Sequence, residues 1–169
     1  MPGARMRPTR PRRVGAAVVA VGIAGALAAC GITIPSDVEG TLDAVTGGVL
    51  EVGVTPNPPY VDASEEQPTG SEVEVVTSFA DSIGATVEWT EGSEQTLVGL
   101  LEAGEIDLVI GGLTDDTPWS DRVALTRAYA QAEQADGSSA GLVMLAPMGE
   151  NAFLSALERH LDAEAQGER

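Results

Sequence analysis

The order of apolar and polar positions from residue 49 onward predicts strands and helices in alternation. A short run rich in β-branched residues at 49–54 predicts a strand, and the Pro-rich stretch that follows ends it. Apolar residues then recur at helical spacing from Val75. Ser71, with Glu74 three residues later, is typical of a capping box at a helix start. The first two elements are therefore a strand and an amphipathic helix.

The same alternation continues along the chain. A second strand is expected at 86–89, a second helix with Ser93 as its N-cap, and a third strand at 106–110. The third run is apolar except for Asp107, which favours a strand covered on both faces, as in a parallel sheet. In sheets with this β-α-β-α-β order, crossovers are right-handed and ligands gather at the carboxyl ends of the strands. A site is thus expected in the loops that follow the first and third strands.

Shorter elements complete the predicted lobe. A brief strand is expected at 123–126, a polar connection at 131–139, a strand at 142–146, and an amphipathic helix at about 151–163. Residues 164–169 are expected to fray.

The first thirty residues predict an export signal. An Arg-rich start precedes the sixteen uncharged residues 14–29, a run shorter than the roughly 20 residues that span a bilayer as a helix. The run ends in small residues before Cys30, which is the only cysteine, and this junction resembles a bacterial lipobox. By that resemblance Cys30 carries diacylglycerol on its sulfur after cleavage, with a palmitate-type lipid anchor. The other interpretation of Cys30 is a buried small side chain in an anchor helix.

These patterns divide the chain into four segments. Residues 1–29 are the predicted lipoprotein signal peptide, 30–48 a tether with a possible short helical turn, 49–163 a single lobe, and 164–169 a frayed end. Whether export follows the general or the twin-arginine route is left open.

Charge limits the possible partners. All 26 acidic residues follow Cys30 and only four of the nine arginines do, so that part of the chain has a formal charge of −22. Such a surface repels phosphate backbones, which excludes nucleic acid as the default partner. With one histidine and no lysine, the sequence offers no nucleophile–base pair and no zinc ligand set. The protein is therefore not expected to be an enzyme, and it is expected to need neither a cofactor nor a metal.

Several segments occur in the order found in one known family. They are Pro58-Pro59-Tyr60 after the first strand, the signature at 70–75 around Glu72, the 100–108 segment with Gly104 and Asp107, the turn Gly111-Gly112-Leu113-Thr114, and 123–129. Together they resemble the first lobe of bacterial extracellular solute-binding proteins of family 3, the polar amino-acid binders of ABC importers. The family usually has a large apolar or aromatic residue where Ser71 stands.

The resemblance implies a fold and a function. It implies a three-layer α/β lobe of the type II periplasmic-binding-protein kind, with a mostly parallel sheet flanked by helices. A second lobe is expected to be missing. Only the eleven residues 130–140 separate Tyr129 from residues 141–163, which resemble the family's C-terminal return strand and last helix. The implied protein is a membrane-anchored extracytoplasmic component beside a permease, which binds a small polar solute such as an amino acid or docks the permease. The alternative is an interaction or regulatory module that has lost small-molecule binding.

The candidate ligand-binding residues follow from this resemblance. Tyr60 is either an aromatic wall for a ligand or a half-buried turn residue. Gly111, Gly112 and Thr114 either offer amides and a hydroxyl to a ligand or form a simple tight turn. Glu72 belongs to the signature, although an acid in the first turn also stabilises a helix through its dipole.

Trp119 stands where family members that bind amino acids place an arginine for the ligand carboxylate. It is interpreted either as a recognition aromatic or as a side chain that packs its loop onto the lobe, and packing is slightly favoured. Asp115, Asp116 and Asp121 form an acidic cluster that lacks calcium-loop spacing, so a solvated face is favoured over a cation site.

Overall fold

A six-stranded mixed sheet organises the part of the chain that the computed structural model describes, which is residues 36–133 and 137–167. The strands are β1 (Val49–Val54), β2 (Thr86–Glu91), β3 (Leu108–Thr114), β4 (Ala124–Leu125), β5 (Ala130–Glu133) and β6 (Ser139–Ala146). The helices are α1 (Thr41–Val45), α2 (Ser71–Ile83), α3 (Glu94–Glu102) and α4 (Asn151–Gly167). The strand order is β2-β1-β3-β6-β4, and β5 also pairs with β6.

The first three strands confirm the predicted β-α-β-α-β order. Strand β1 lies between β2 and β3 and is parallel to both. Strand β6 then pairs antiparallel with β3, β4 and β5. The predicted α/β lobe is present, but its sheet is mixed rather than mostly parallel, because the chain returns through β6 without a crossover helix.

Helices cover both faces of the sheet. On one face α2 and α4 pack over Leu50, Val52 and Val54 of β1, together with alternate residues of β3 and β6. On the other face α3 packs with Val109 and Leu145, which belong to the opposite face of their strands. This alternation confirms that β3 is buried on both sides, as its apolar run predicted.

Two local predictions for α2 and β3 are wrong. Gly70, with φ 126°, is the N-cap of α2 and the side chain of Ser71 makes no capping bond, so the capping box does not form. Residues 111–114 are not a separate turn, because they extend β3 and contain a register shift against β6. The helix start at Ser93 is confirmed, since its Oγ accepts a hydrogen bond from Thr96 N at 3.3 Å.

The boundaries near the C-terminal end also differ from the prediction. Residues 131–133 belong to β5, because their backbone pairs with the start of β6 and not only with solvent. Helix α4 continues through Gly167, so residues 164–167 are helical rather than frayed. The predicted signal peptide, Cys30 and the first part of the predicted tether lie outside the described residues. No helix within residues 36–133 and 137–167 is both long and apolar enough to cross a membrane.

The end of the predicted tether packs on the lobe. Asp37 Oδ1 accepts hydrogen bonds from Ala152 N at 2.6 Å and Phe153 N at 3.0 Å, at the start of α4. In the other direction, buried Glu150 accepts from Glu39 N at 2.8 Å and Thr41 N at 2.9 Å. These reciprocal bonds satisfy backbone donors of two helix starts. The lobe therefore begins before residue 49.

We expect Asp37→Ala to lower the free energy of unfolding by about 1–2 kcal/mol, because it leaves helix N–H groups without an acceptor. Urea denaturation of the full chain measures this change. Asp43→Ala is the matched control, because Asp43 is exposed and lies in the same segment. Equal stability of the two variants would contradict the role given to Asp37.

Candidate functional site

The carboxylate of Glu72 joins three parts of the lobe. Glu72 lies in the first turn of α2 and is 2% exposed. Its Oε2 accepts hydrogen bonds from Gly111 N at 2.8 Å and Gly112 N at 2.9 Å, in the irregular part of β3. Its Oε1 accepts a short hydrogen bond from the Tyr129 hydroxyl, just before β5. We call this group of four residues the Glu72 latch.

Burial sets the protonation behaviour of the latch. Desolvation raises the pKa of Glu72 above its ordinary value, although the hydrogen bonds from Tyr129, Gly112 and Gly111 oppose this effect. Desolvation, followed by the neighbouring Glu72 charge, raises the pKa of Tyr129 as well, so its phenol stays a donor. The three donors thus bind a carboxylate that has almost no contact with water.

The two glycines of the latch are tightly enclosed. Gly112 has φ 66°, and a Cβ placed on it would lie 2.3 Å from Tyr60 Cδ2 and 2.6 Å from Asn57 Nδ2. Asn57 Nδ2 also donates to the Gly111 carbonyl at 2.9 Å. A side chain at 112 would therefore displace Tyr60 as well as strain the backbone. Tyr60 itself is half-buried against this glycine, as one of the two interpretations of it required.

A shallow pocket of about 230 Å³ lies at the carboxyl end of β3. We call it the strand-end pocket, and its lining consists of Asn57, Glu94, Gly111, Gly112, Leu113, Thr114, Asp116, Thr117 and Pro118. The charged side chains in this lining are both carboxylates. The Thr114 hydroxyl donates to Asp116 Oδ1, and the buried Thr117 hydroxyl has no hydrogen-bond partner among the described residues.

Trp119 lies beside this pocket rather than in it. Its Nε1 donates to Glu94 Oε2 at 3.1 Å, and its ring packs against the core under α3. The guanidinium of Arg122 stands 5.4 Å from the ring centroid and also pairs with Glu102. The structure thus shows the packed arrangement of Trp119, and it places Arg122 away from the lining of the pocket.

The acidic cluster is divided among structural contacts. Asp115 Oδ1 accepts a hydrogen bond from Gly141 N at 3.1 Å, and Asp116 Oδ1 accepts a hydrogen bond from the Thr114 hydroxyl. Within the described residues, no group of three or more His, Cys, Asp or Glu side chains is arranged to hold a metal ion.

The family model of "Bacterial extracellular solute-binding proteins, family 3" matches residues 50–163. The chain belongs to this family. The match covers every strand of the sheet and most of α4. Membership supports a substrate-binding role and suggests an extracytoplasmic location for this solute-binding protein.

Solved structures agree with this lobe. The arginine-bound form of domain 1 from TmArgBP is 21% identical with a TM-score of 0.63, and the match covers 72% of this chain and 97% of that one. An ancestral cationic amino acid solute-binding protein is 14% identical with a TM-score of 0.64, over 75% and 94% of the two chains.

An ancestral cyclohexadienyl dehydratase is 15% identical with a TM-score of 0.63, over 74% of this chain and 90% of that one. Its name is that of an enzyme, whereas the family consists mostly of binding proteins. At these identities the three likenesses show the fold alone. No curated protein sequence matches the chain.

The structure brings most of the predicted site residues together. Glu72 binds the amides of Gly111 and Gly112, and its own amide donates to the Tyr60 carbonyl. The Tyr60 ring lies against Gly112, and Thr114 follows the two glycines on β3. Sequence reasoning missed Tyr129, which lies 57 residues from its partner Glu72. It also missed the other strand-end lining residues, Asn57, Glu94 and Thr117, which carried no signal beyond their closeness to a strand end.

We expect the unfolding free energy of wild type, relative to Glu72→Gln, to fall as pH rises from the unfolded-state pKa of 4.5 through the raised folded-state value. In this interval the folded state holds more protons than the unfolded state, so stability decreases with pH. Glutamine keeps an acceptor for the two glycine amides and does not titrate.

Urea denaturation between pH 4 and pH 8 measures the difference. Glu74→Gln, an exposed change on the same helical turn, is the control and is expected to lack this trend. A wild-type protein that gains stability relative to Glu72→Gln with rising pH would refute the raised pKa.

Proposed function

We propose that this protein binds a small cationic, amino-acid-like solute at the strand-end pocket and acts as a component of a transporter of the ABC type. The observation that carries the proposal is the charge of the pocket. Glu94 and Asp116 are its charged side chains, and no arginine or histidine of the described residues lines it. A guanidinium or ammonium group finds charged acceptors there, whereas a carboxylate finds no charged donor.

The positions of the described arginines support this ligand class. Arg122 pairs with Glu102, and Arg127 pairs with Glu158 and Asp162 on α4. Trp119 occupies the position from which the family's arginine would hold an α-carboxylate, and it packs against α3. Recognition would then depend on the positive end of the solute, with Asn57 as a neutral partner.

A single lobe is a reasonable receptor for such a solute. The neighbour named above is a domain 1 in an arginine-bound form, which is a precedent for ligand on one lobe of this fold. Without an opposing lobe much of the solute stays in water, so its hydrogen bonds compete with solvent. We expect a dissociation constant in the micromolar range or weaker, unless a second protein covers the pocket.

Anchoring and transporter association are parts of the same proposal. The uncharged run at 14–29 and the lipobox-like junction at Cys30 support a lipid anchor, and two acyl chains hold a protein at a membrane. The anchor would keep the lobe near a permease on the extracytoplasmic face.

We expect Cys30→Ser to release the protein from the membrane fraction, because the sulfur that carries the lipid is removed. Fractionation of cells that express wild type and variant, with palmitate labelling, measures this. A variant that stays membrane-bound to the same extent as wild type would refute the anchor.

We expect arginine and lysine to bind in calorimetry while glutamate does not. Asp116→Asn should weaken arginine binding on the order of fivefold, since exposed charge pairs contribute up to about 1 kcal/mol. Asp121→Asn is the matched control, with the same change of charge at an exposed position outside the pocket lining.

Two results would contradict this function. Submicromolar binding by a monomer would refute the open, one-sided site, and equal affinity for glutamate would refute the charge argument. If none of the amino acids binds, the alternative of a docking module without a small ligand is favoured. The carboxylate-lined strand end would then meet a basic protein surface, which a pull-down with the anchored form can test.

A further inference from the structure

A second cavity, of about 270 Å³, lies on the other side of the Glu72 latch. It opens between the last turns of α4 and strand β5. Its walls include the side chains of Tyr60 and Tyr129 and those of Leu142 and Leu161. We call it the α4 cavity. It shares no lining residue with the strand-end pocket.

The lining of the α4 cavity is mostly apolar, and its charged side chains are all acidic. Its charged lining residues are Glu72 and Glu164, and no arginine or histidine lines it. Glu72 already accepts three hydrogen bonds within the latch, so the more available carboxylate is that of Glu164, whose side chain is 46% exposed. Glu164 Oε1 accepts a hydrogen bond from Ser78 Oγ at 3.1 Å and lies 3.6 Å from His160 Nε2, and the carboxylate has further acceptor sites. A positive group at this rim is favoured, and an anion is disfavoured.

A small side chain at the start of α2 leaves this space open. Ser71 lines the cavity and is an exposed residue at the start of α2. We expect a large side chain at 71 to take up part of this volume, because Ser71 is one of the lining residues.

From these observations we propose that the α4 cavity binds a small organic cation with an apolar body, such as an arylalkylamine. Its ring would lie among the two tyrosines and the leucines, and its ammonium group would reach the Glu164 carboxylate. Aromatic faces and a carboxylate are the two partners that such a cation prefers when partly desolvated. This site is additional to the proposed solute site and does not depend on it.

The test uses 2-phenylethylamine as the probe, with 2-phenylethanol and phenylacetate as neutral and anionic analogues. Titrations of the full chain, followed by NMR of the protein, are expected to show binding of the amine, weaker binding of the alcohol and none of the acid. Ser71→Phe should reduce amine binding at least tenfold by filling the cavity. Ser82→Phe, an exposed change on the same helix, is the control and should leave it unchanged.

A second variant keeps the proposal testable if Ser71→Phe does not fold. Glu164→Gln should weaken amine binding about threefold and leave the alcohol unaffected, as expected for a partly exposed charge pair. Asp116→Asn should leave the amine-induced shifts of the amides around Tyr129 and Leu161 unchanged, which separates this site from the strand-end pocket. Phenylacetate that binds as well as the amine, amine binding that survives Ser71→Phe in a folded variant, or no amine binding at all would overturn the proposal.

Discussion

The buried carboxylate of Glu72 is the constraint on which the rest of the site depends. It lies at the start of α2, yet its hydrogen bonds reach β3 and the segment that leads into β5. A desolvated carboxylate is costly unless every lone pair is used, so the groups around it have little freedom. The positions of the β3 glycines, and of Tyr60 against them, follow from this requirement. Glu72 thus holds the Gly111–Gly112 wall of the strand-end pocket in place, although Glu72 itself does not line the pocket.

Electrostatics then decide what the open edge of the sheet can hold. The arginines at 122 and 127 are paired with glutamate and aspartate on helices, and the exposed end of β3 retains carboxylates. These two arginines are structural partners, and neither lines the strand-end pocket. A single lobe of this kind can still select its solute by charge sign, although it cannot enclose it.

The sequence predicted the parts of this structure that depend on local pattern. The strands β1 to β3, the helix start at Ser93 and the final helix follow from periodicity and capping, which act over a few residues. The capping box at Ser71 failed because Gly70 and the backbone near Tyr60 satisfy that helix end instead. The extension of β3 through Thr114 was missed because a glycine pair is typical of a turn, whereas the pairing of Leu113 and Thr114 with β6 is a contact between distant segments.

Contacts between distant segments could not be predicted from the sequence. Nothing at Tyr129 indicated that its hydroxyl would meet a carboxylate 57 residues earlier. Likewise, the docking of Asp37 on α4 depends on where two chain segments meet and not on either pattern alone. The candidate residues themselves were drawn from the family's motif order, and that is why four of them lie together.

The central claim is that one lobe binds a cationic solute at the end of β3. Residue-resolved NMR of the ¹⁵N-labelled protein during an arginine titration tests it most directly. The account predicts fast-exchange shifts confined to the amides around Asn57, Gly112 and Thr117, with the amides near Asp37 unmoved. Shifts centred elsewhere on the lobe, or a spectrum that arginine leaves unchanged at millimolar concentration, would contradict it.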